Sequence, residues 1–196
     1  MELTQKQNIK YVASLLLLAV ITQAIYTALY VAAKDVPRQW LWGFEGVLFV
    51  VLAAVAGSAL VQSKKYSLGF SAILVSAILN VVQVGIGLTQ FGAFREAAQV
   101  VEGLAPATGS VVALSFFIYN AAKILLGLAA LIFGLATIKA GSSWLGRLTV
   151  LVGGVAMATN IIAVMFGRID GLPSGATGVV ATLFLAACLF TLKTDD

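Results

Sequence analysis

Histidine is absent from this 196-residue chain, and cysteine occurs once, as Cys188. The first absence removes axial-histidine haem, histidine-ligated zinc or di-iron sites, Ser-His-Asp hydrolysis and histidine proton relays. The second removes an intramolecular disulfide framework and a thiolate metal cluster. No Gly-x-x-x-x-Gly-Lys-Ser/Thr phosphate loop occurs either, so nucleotide-driven transport would need another subunit. Proline is confined to Pro37, Pro106 and Pro173. All three fall in segments read as connections, so no apolar run should carry a proline kink.

Charge is equally scarce. Charged residues make up 10% of the chain against 61% hydrophobic, with a mean hydropathy of +1.03. A soluble domain of this length cannot bury that much apolar surface in one core. The composition therefore implies a polytopic membrane protein. Six runs are each long enough, at a rise of 1.5 Å per residue, to cross roughly 30 Å of hydrocarbon. They lie at about 10–33, 40–62, 67–91, 109–138, 144–167 and 175–192. Continuous apolarity, rich in Leu and Ala, lacks the alternating ten-residue pattern of an outer-membrane barrel. The expected fold is all-α, a six-helix bundle forming one domain over 1–196. The first run has no small-residue cleavage pattern at its end and is read as a retained span.

The net charge of +4 does not indicate nucleic acid, because the basic residues are scattered over the ends of apolar runs and form no stripe. They set orientation instead. Lys6, Lys10, Lys64, Lys65, Lys139, Arg147 and Lys193 fall on one side, which makes seven; Lys34, Arg38, Arg95 and Arg168 fall on the other, which makes four. Both termini should then be cytoplasmic, in a bacterial inner membrane. Trp40, Trp42 and Trp144 stand at span ends, as expected of rings anchored at the headgroup level.

One connection is long. Between Gly92 and Gly109, Phe94, Ala97, Val101 and Leu104 recur at helical intervals, which predicts a short interfacial helix ended by Gly103, Pro106 and Gly109. A faint repeat also runs through the chain. The segment from Gly57 to Gly69 aligns without gaps on that from Gly134 to Gly146, as if spans two and three were a parallel copy of spans four and five.

Rare polar groups inside the spans mark where chemistry could sit. Lys123 lies within a long apolar stretch, and a bare ammonium there is costly unless a partner or water meets it. Glu45 is the only carboxylate within a hydrophobic run, and the pair could neutralise each other. Glu45 starts about 7 Å below the outer interface, so a direct bond requires the lysine to reach outward, as snorkelling side chains do. On the first span Gln23, Tyr26, Thr27 and Tyr30 share a face. On the third, Asn80, Gln83, Gly87 and Gln90 make a second stripe, with the glycine allowing a close approach. Tyr119 and Asn120 flank Lys123 on the fourth, and Asn160 lies in the outer half of the fifth.

Four readings follow. The polar residues could serve packing alone, as interhelical hydrogen bonds around a buried ion pair. They could line a water-filled pocket for a small molecule or ion, anionic if Lys123 attracts it. Lys123 could act as an amine nucleophile and form a Schiff base, with Glu45 as counter-ion to a retinal-type pigment. Six spans with the lysine in the fourth do not match the familiar seven-span pattern. Finally, small-residue faces such as Gly127, Ala130 and Gly134, or Gly153 and Gly154, could pack on another membrane protein or a second copy. The preferred expectation is a non-enzymatic binder or transporter whose pocket holds Gln23, Tyr26, Tyr30, Glu45, Asn80, Gln83, Tyr119, Asn120, Lys123 and Asn160. No metal site or cofactor is indicated, and the lipid bilayer is the one partner that composition itself implies.

Overall fold

A computed structural model describes residues 3–32, 38–167, 169 and 171–192. Among the described residues there are seven α-helices and one short 3₁₀ turn: α1 (Gln5–Val31), α2 (Arg38–Gln62), α3 (Ser67–Thr89), α4 (Phe91–Val100), the 3₁₀ turn (Glu102–Leu104), α5 (Ala105–Lys139), α6 (Ser143–Phe166) and α7 (Ser174–Thr191). Six of these helical stretches are long and apolar enough to cross a membrane. The observed bounds lie within five residues of the expected ones, and the shifts have local causes. Thr4 caps α1 by accepting from the Gln7 backbone while Gln7 Oε1 accepts from the Thr4 backbone. That reciprocal pair satisfies free N–H groups and starts the helix well ahead of the apolar run.

The long connection does form an amphipathic helix, α4, but two of its expected terminators act otherwise. Pro106 sits in the first turn of α5, where its missing N–H needs no partner. Gly109 lies inside α5. Pro106 therefore begins a helix and does not close the preceding one. Thr108 ties the two together by donating from Oγ1 to Phe94 O at 3.1 Å. At 35 residues and 1.5 Å each, α5 is about 52 Å long, so its early turns overhang any bilayer core alongside α4.

Turn chemistry at the other end is clear in the α5–α6 connection. Gly141 takes φ of 101°, with Gly141 N donating to Ile138 O and Ser142 N to Thr137 O. This is the left-handed cap that satisfies the last carbonyls of a helix, and it favours glycine because a Cβ is strained there. The short α2–α3 turn lies at the same end, as do the start of α1 and the end of α7. This hairpin end carries Lys6, Lys10, Lys64, Lys65, Lys139 and Arg147. Lys34, Pro37, Arg168 and Lys193, and the side chain of Arg38, lie outside the described residues.

Helix adjacency defines the architecture. α1 packs on α2, α2 on α3, α3 on α5, α5 on α7, and α7 closes back on α1. Five helices thus form a ring, while α6 lies outside it against α5 and α7. Towards the hairpin end the ring is filled by buried side chains, among them Leu16, Phe49, Leu52, Phe70, Ile73, Leu126, Phe133 and Leu185. Phe133 meets Phe70 edge to face with centroids 5.0 Å apart, a favoured aromatic geometry. A polar latch closes the rim there: Asn8 Nδ2 donates to Ser58 Oγ and Gln62 Oε1, both at 2.8 Å. Towards the α4 end the ring is not filled.

The small-residue faces are used within the chain. A Cβ on Gly146 would stand 2.6 Å from Gly134 O, and one on Gly127 would stand 2.9 Å from Gly153 O. α5 and α6 therefore meet backbone to backbone, which only glycine permits. The aligned pair Gly57 and Gly69 behaves differently: Gly57 has open space beside it, and Gly69 faces the Phe133 ring. Packing gives the suspected repeat no support.

Candidate functional site

Three side chains from three helices meet on the axis of the ring. Lys123 of α5 donates from Nζ to Gln23 Oε1 of α1 at 2.9 Å, and Gln23 Nε2 donates to Glu45 Oε1 of α2 at 2.6 Å. The amide is polarised correctly by its neighbours, oxygen toward the ammonium and nitrogen toward the carboxylate, so each charged group meets the matching end of one dipole. Lysine and glutamate make no direct ion pair. Lys123 reaches back over the Tyr119 ring, toward the α4 end, and its connection to Glu45 runs through the glutamine.

What holds Lys123 in place is partly its own helix and partly α7. Its Nζ lies 5.0 Å from the centroid of the Tyr119 ring, one helical turn away, within the range of a cation–π attraction. Its aliphatic stem lies across Gly178, where an added Cβ would sit 2.8 Å from Cδ and 2.9 Å from Cγ. Gly178 is the gap through which the side chain passes. With 1% of its surface exposed, the lysine stands behind the polar cluster and not in open space.

Above the cluster the unfilled part of the ring forms a cavity of about 1090 Å³, just above the roughly 300–1,000 Å³ range typical of ligand pockets. Its floor includes Gln23, Glu45 and Tyr119; its walls are mostly apolar and include Val31, Leu88, Val112, Phe116, Val179 and Val180. Phe91, Gly92 and Arg95 of α4 lie along its mouth. Glu45 is 8% exposed, and its Oε2 carries no hydrogen bond among the described residues. Thus one oxygen is held by Gln23 and the other is open to the cavity.

The expected site residues divide into three groups. Gln23, Tyr26, Glu45, Gln83 and Tyr119 line the cavity, and Gln83 Nε2 donates to Ser115 Oγ across α3 and α5 at 3.3 Å. Lys123 acts from behind the floor. The remaining four stand elsewhere. Tyr30 is 63% exposed and stacks on Tyr26 with centroids 6.2 Å apart; in the last turn of α1 it is Val31, and not Tyr30, that lines the cavity. Asn80 Nδ2 donates to Ser76 O and Asn160 Nδ2 to Ala156 O and Ser174 O; both are buried structural amides. Asn120 is buried in α5 outside the lining.

Trp42 does more than mark a span end: its ring packs on Gly87, where a Cβ would lie 2.7 Å from Cζ3. It stands 5.5 Å from Tyr26 and 6.0 Å from Phe91, centroid to centroid, and forms part of the cavity wall. Gly87 therefore lets the indole approach closely, and it lines the cavity beside it. Trp40 and Trp144 are exposed, at 82% and 70%. Sequence reasoning also missed Gly178, Ser115 and Arg95 as contributors; a lone glycine among nineteen carries no signal that a lysine crosses it. Among the described residues no cluster of His, Cys, Asp or Glu is arranged to hold a metal ion.

The arrangement can bind and orient an apolar molecule that bears a polar end, with Glu45 Oε2 as acceptor at the deepest point. No protein-family model matches the chain, and no curated protein or solved structure matches it. The site's own chemistry is what speaks to function.

Proposed function

We propose that this chain is a six-span protein of a bacterial inner membrane, with both termini cytoplasmic, that binds an apolar small molecule in a cavity open toward the outer side. The observation that carries the reading is the cavity of about 1090 Å³ whose apolar walls end on the Glu45, Gln23 and Lys123 cluster. Packing alone does not require such a space; an intramembrane ionisable pair at the base of a cavity is the usual mark of a binding site. The hairpin half is closed by its apolar core, so a transporter would need a second state in which that half opens. Of the small-residue faces, Gly127, Gly134 and Gly153 pack within the chain, which favours the binding reading over the scaffold one.

The test is co-purification. Protein extracted into nanodiscs with native lipids should retain a small molecule at near-stoichiometric amount above the bulk lipid, detectable by mass spectrometry after denaturation. Ala176→Trp, which places an indole in the cavity, should abolish retention while leaving helicity and monodispersity intact. Equal retention by both proteins, or nothing retained above the lipid background, rejects the site.

A further inference from the structure

The geometry points to an uncharged hydroxyl group as the polar end that the cavity floor selects, with selectivity set by the charge balance between Glu45 and Lys123. This rests on the cavity being a ligand site, as proposed above. Glu45 and Lys123 are joined through Gln23 and together carry no net charge, whether written as carboxylate with ammonium or as carboxylic acid with amine. The walls are largely apolar, so a third charge brought to the floor would be poorly screened and would lack a counter-charge. A ligand ammonium would leave the floor positive, and a ligand carboxylate would leave it negative.

A neutral polar end meets a different situation. Glu45 is nine-tenths buried and offers one unoccupied oxygen to the cavity, which asks for a donor. Hydroxyl supplies one and can also accept, so it fits either protonation arrangement of the pair. A purely hydrocarbon end would desolvate that oxygen with nothing in return. The other charged residue of the lining, Arg95, is exposed on α4 at the mouth. Its charge is common to all variants below and drops out of comparisons between them.

The experiment uses four probes with one tail: dodecanol, dodecylamine, dodecanoate and dodecane. They are titrated as mole fraction of lipid into nanodiscs holding the full chain with Trp40→Phe and Trp144→Phe, so that Trp42 in the cavity wall reports binding by fluorescence. In the parent, dodecanol should bind most tightly, by about tenfold over each charged probe and over dodecane, the scale of one well-made buried hydrogen bond. Lys123→Met should move the preference to dodecylamine, Glu45→Gln should move it to dodecanoate, and the double variant should return it to dodecanol.

If either single variant fails to fold, Gln23→Glu and Gln23→Lys shift the floor by one charge each way and carry the same test. A headgroup order that stays fixed across the variants, or parent preference for any probe other than dodecanol, overturns the inference while leaving the site in place. Should none of the four perturb Trp42 in the parent, the ligand-site reading itself falls.

Discussion

Removing one member of the axial cluster should cost unequal amounts depending on which charge is left behind. Breaking a buried pair by deleting one partner costs roughly 3–5 kcal/mol, because the survivor is uncompensated. In Lys123→Met the survivor is Glu45, which keeps the Gln23 amide on one oxygen and has the other open to the cavity. Water can reach it, so the cost should fall near the bottom of the range, about 3 kcal/mol. In Glu45→Gln the survivor is an ammonium with 1% of its surface exposed, left with Gln23 Oε1 and the Tyr119 face. That cost should approach about 5 kcal/mol.

The double variant removes both charges and keeps a flexible apolar chain over Gly178. It should recover to within about 1–2 kcal/mol of the parent, since replacing a buried pair by neutral groups of similar volume is often close to neutral. Equilibrium unfolding of the four proteins in mixed micelles with increasing SDS, followed by far-ultraviolet circular dichroism, gives the three differences. The reasoning is refuted if Lys123→Met is the more damaging single change, or if the double variant loses the sum of the two within about 0.5 kcal/mol, as independent sites do.

Other positions give shorter tests. Gly178→Ala places a methyl against Cδ, Cγ and Cβ of Lys123, and overpacking of this kind costs about 1–3 kcal/mol; in the Lys123→Ala background the same change should cost less, and an unchanged cost would show that the two do not touch. Gly146→Ala pushes a Cβ to 2.6 Å from Gly134 O, a backbone atom that cannot turn aside, so unfolding in SDS should shift by a further about 1–3 kcal/mol, whereas Gly57→Ala, with open space beside it, should be neutral or stabilising through helix propensity. For orientation, Cys188→Ala carrying Val100→Cys should react with an impermeant maleimide in intact cells, and the same chain carrying Ser142→Cys only after permeabilisation; the opposite pattern would invert the topology.

Much of the fold was legible because a bilayer imposes a simple rule. Every spanning backbone must satisfy its own hydrogen bonds, so length and apolarity suffice to find helices. All six runs became helices, and α4 was visible in the spacing of Phe94, Ala97 and Val101. Boundaries slipped where a local device outranked hydropathy, as with the Thr4 and Gln7 cap and with Pro106 opening α5. The site was partly legible for an energetic reason: Lys123 and Glu45 are expensive in apolar surroundings, and cost makes a residue conspicuous.

Sequence alone determined that the chain would form apolar helices and that the lone lysine and carboxylate within the apolar runs would seek polar company. Tertiary structure decided which company. Period and hydropathy describe one helix at a time, and neither says that α3, α5 and α7 close a ring with α1 and α2 while α6 stays outside. That closure put an amide between lysine and glutamate, seated Trp42 on Gly87, sent Asn80 and Asn160 to backbone carbonyls, and left one end of the ring unfilled. The physical reason is that contact between helices depends on side-chain shape at their crossing points, information that is spread over distant positions and is expressed only when those positions meet.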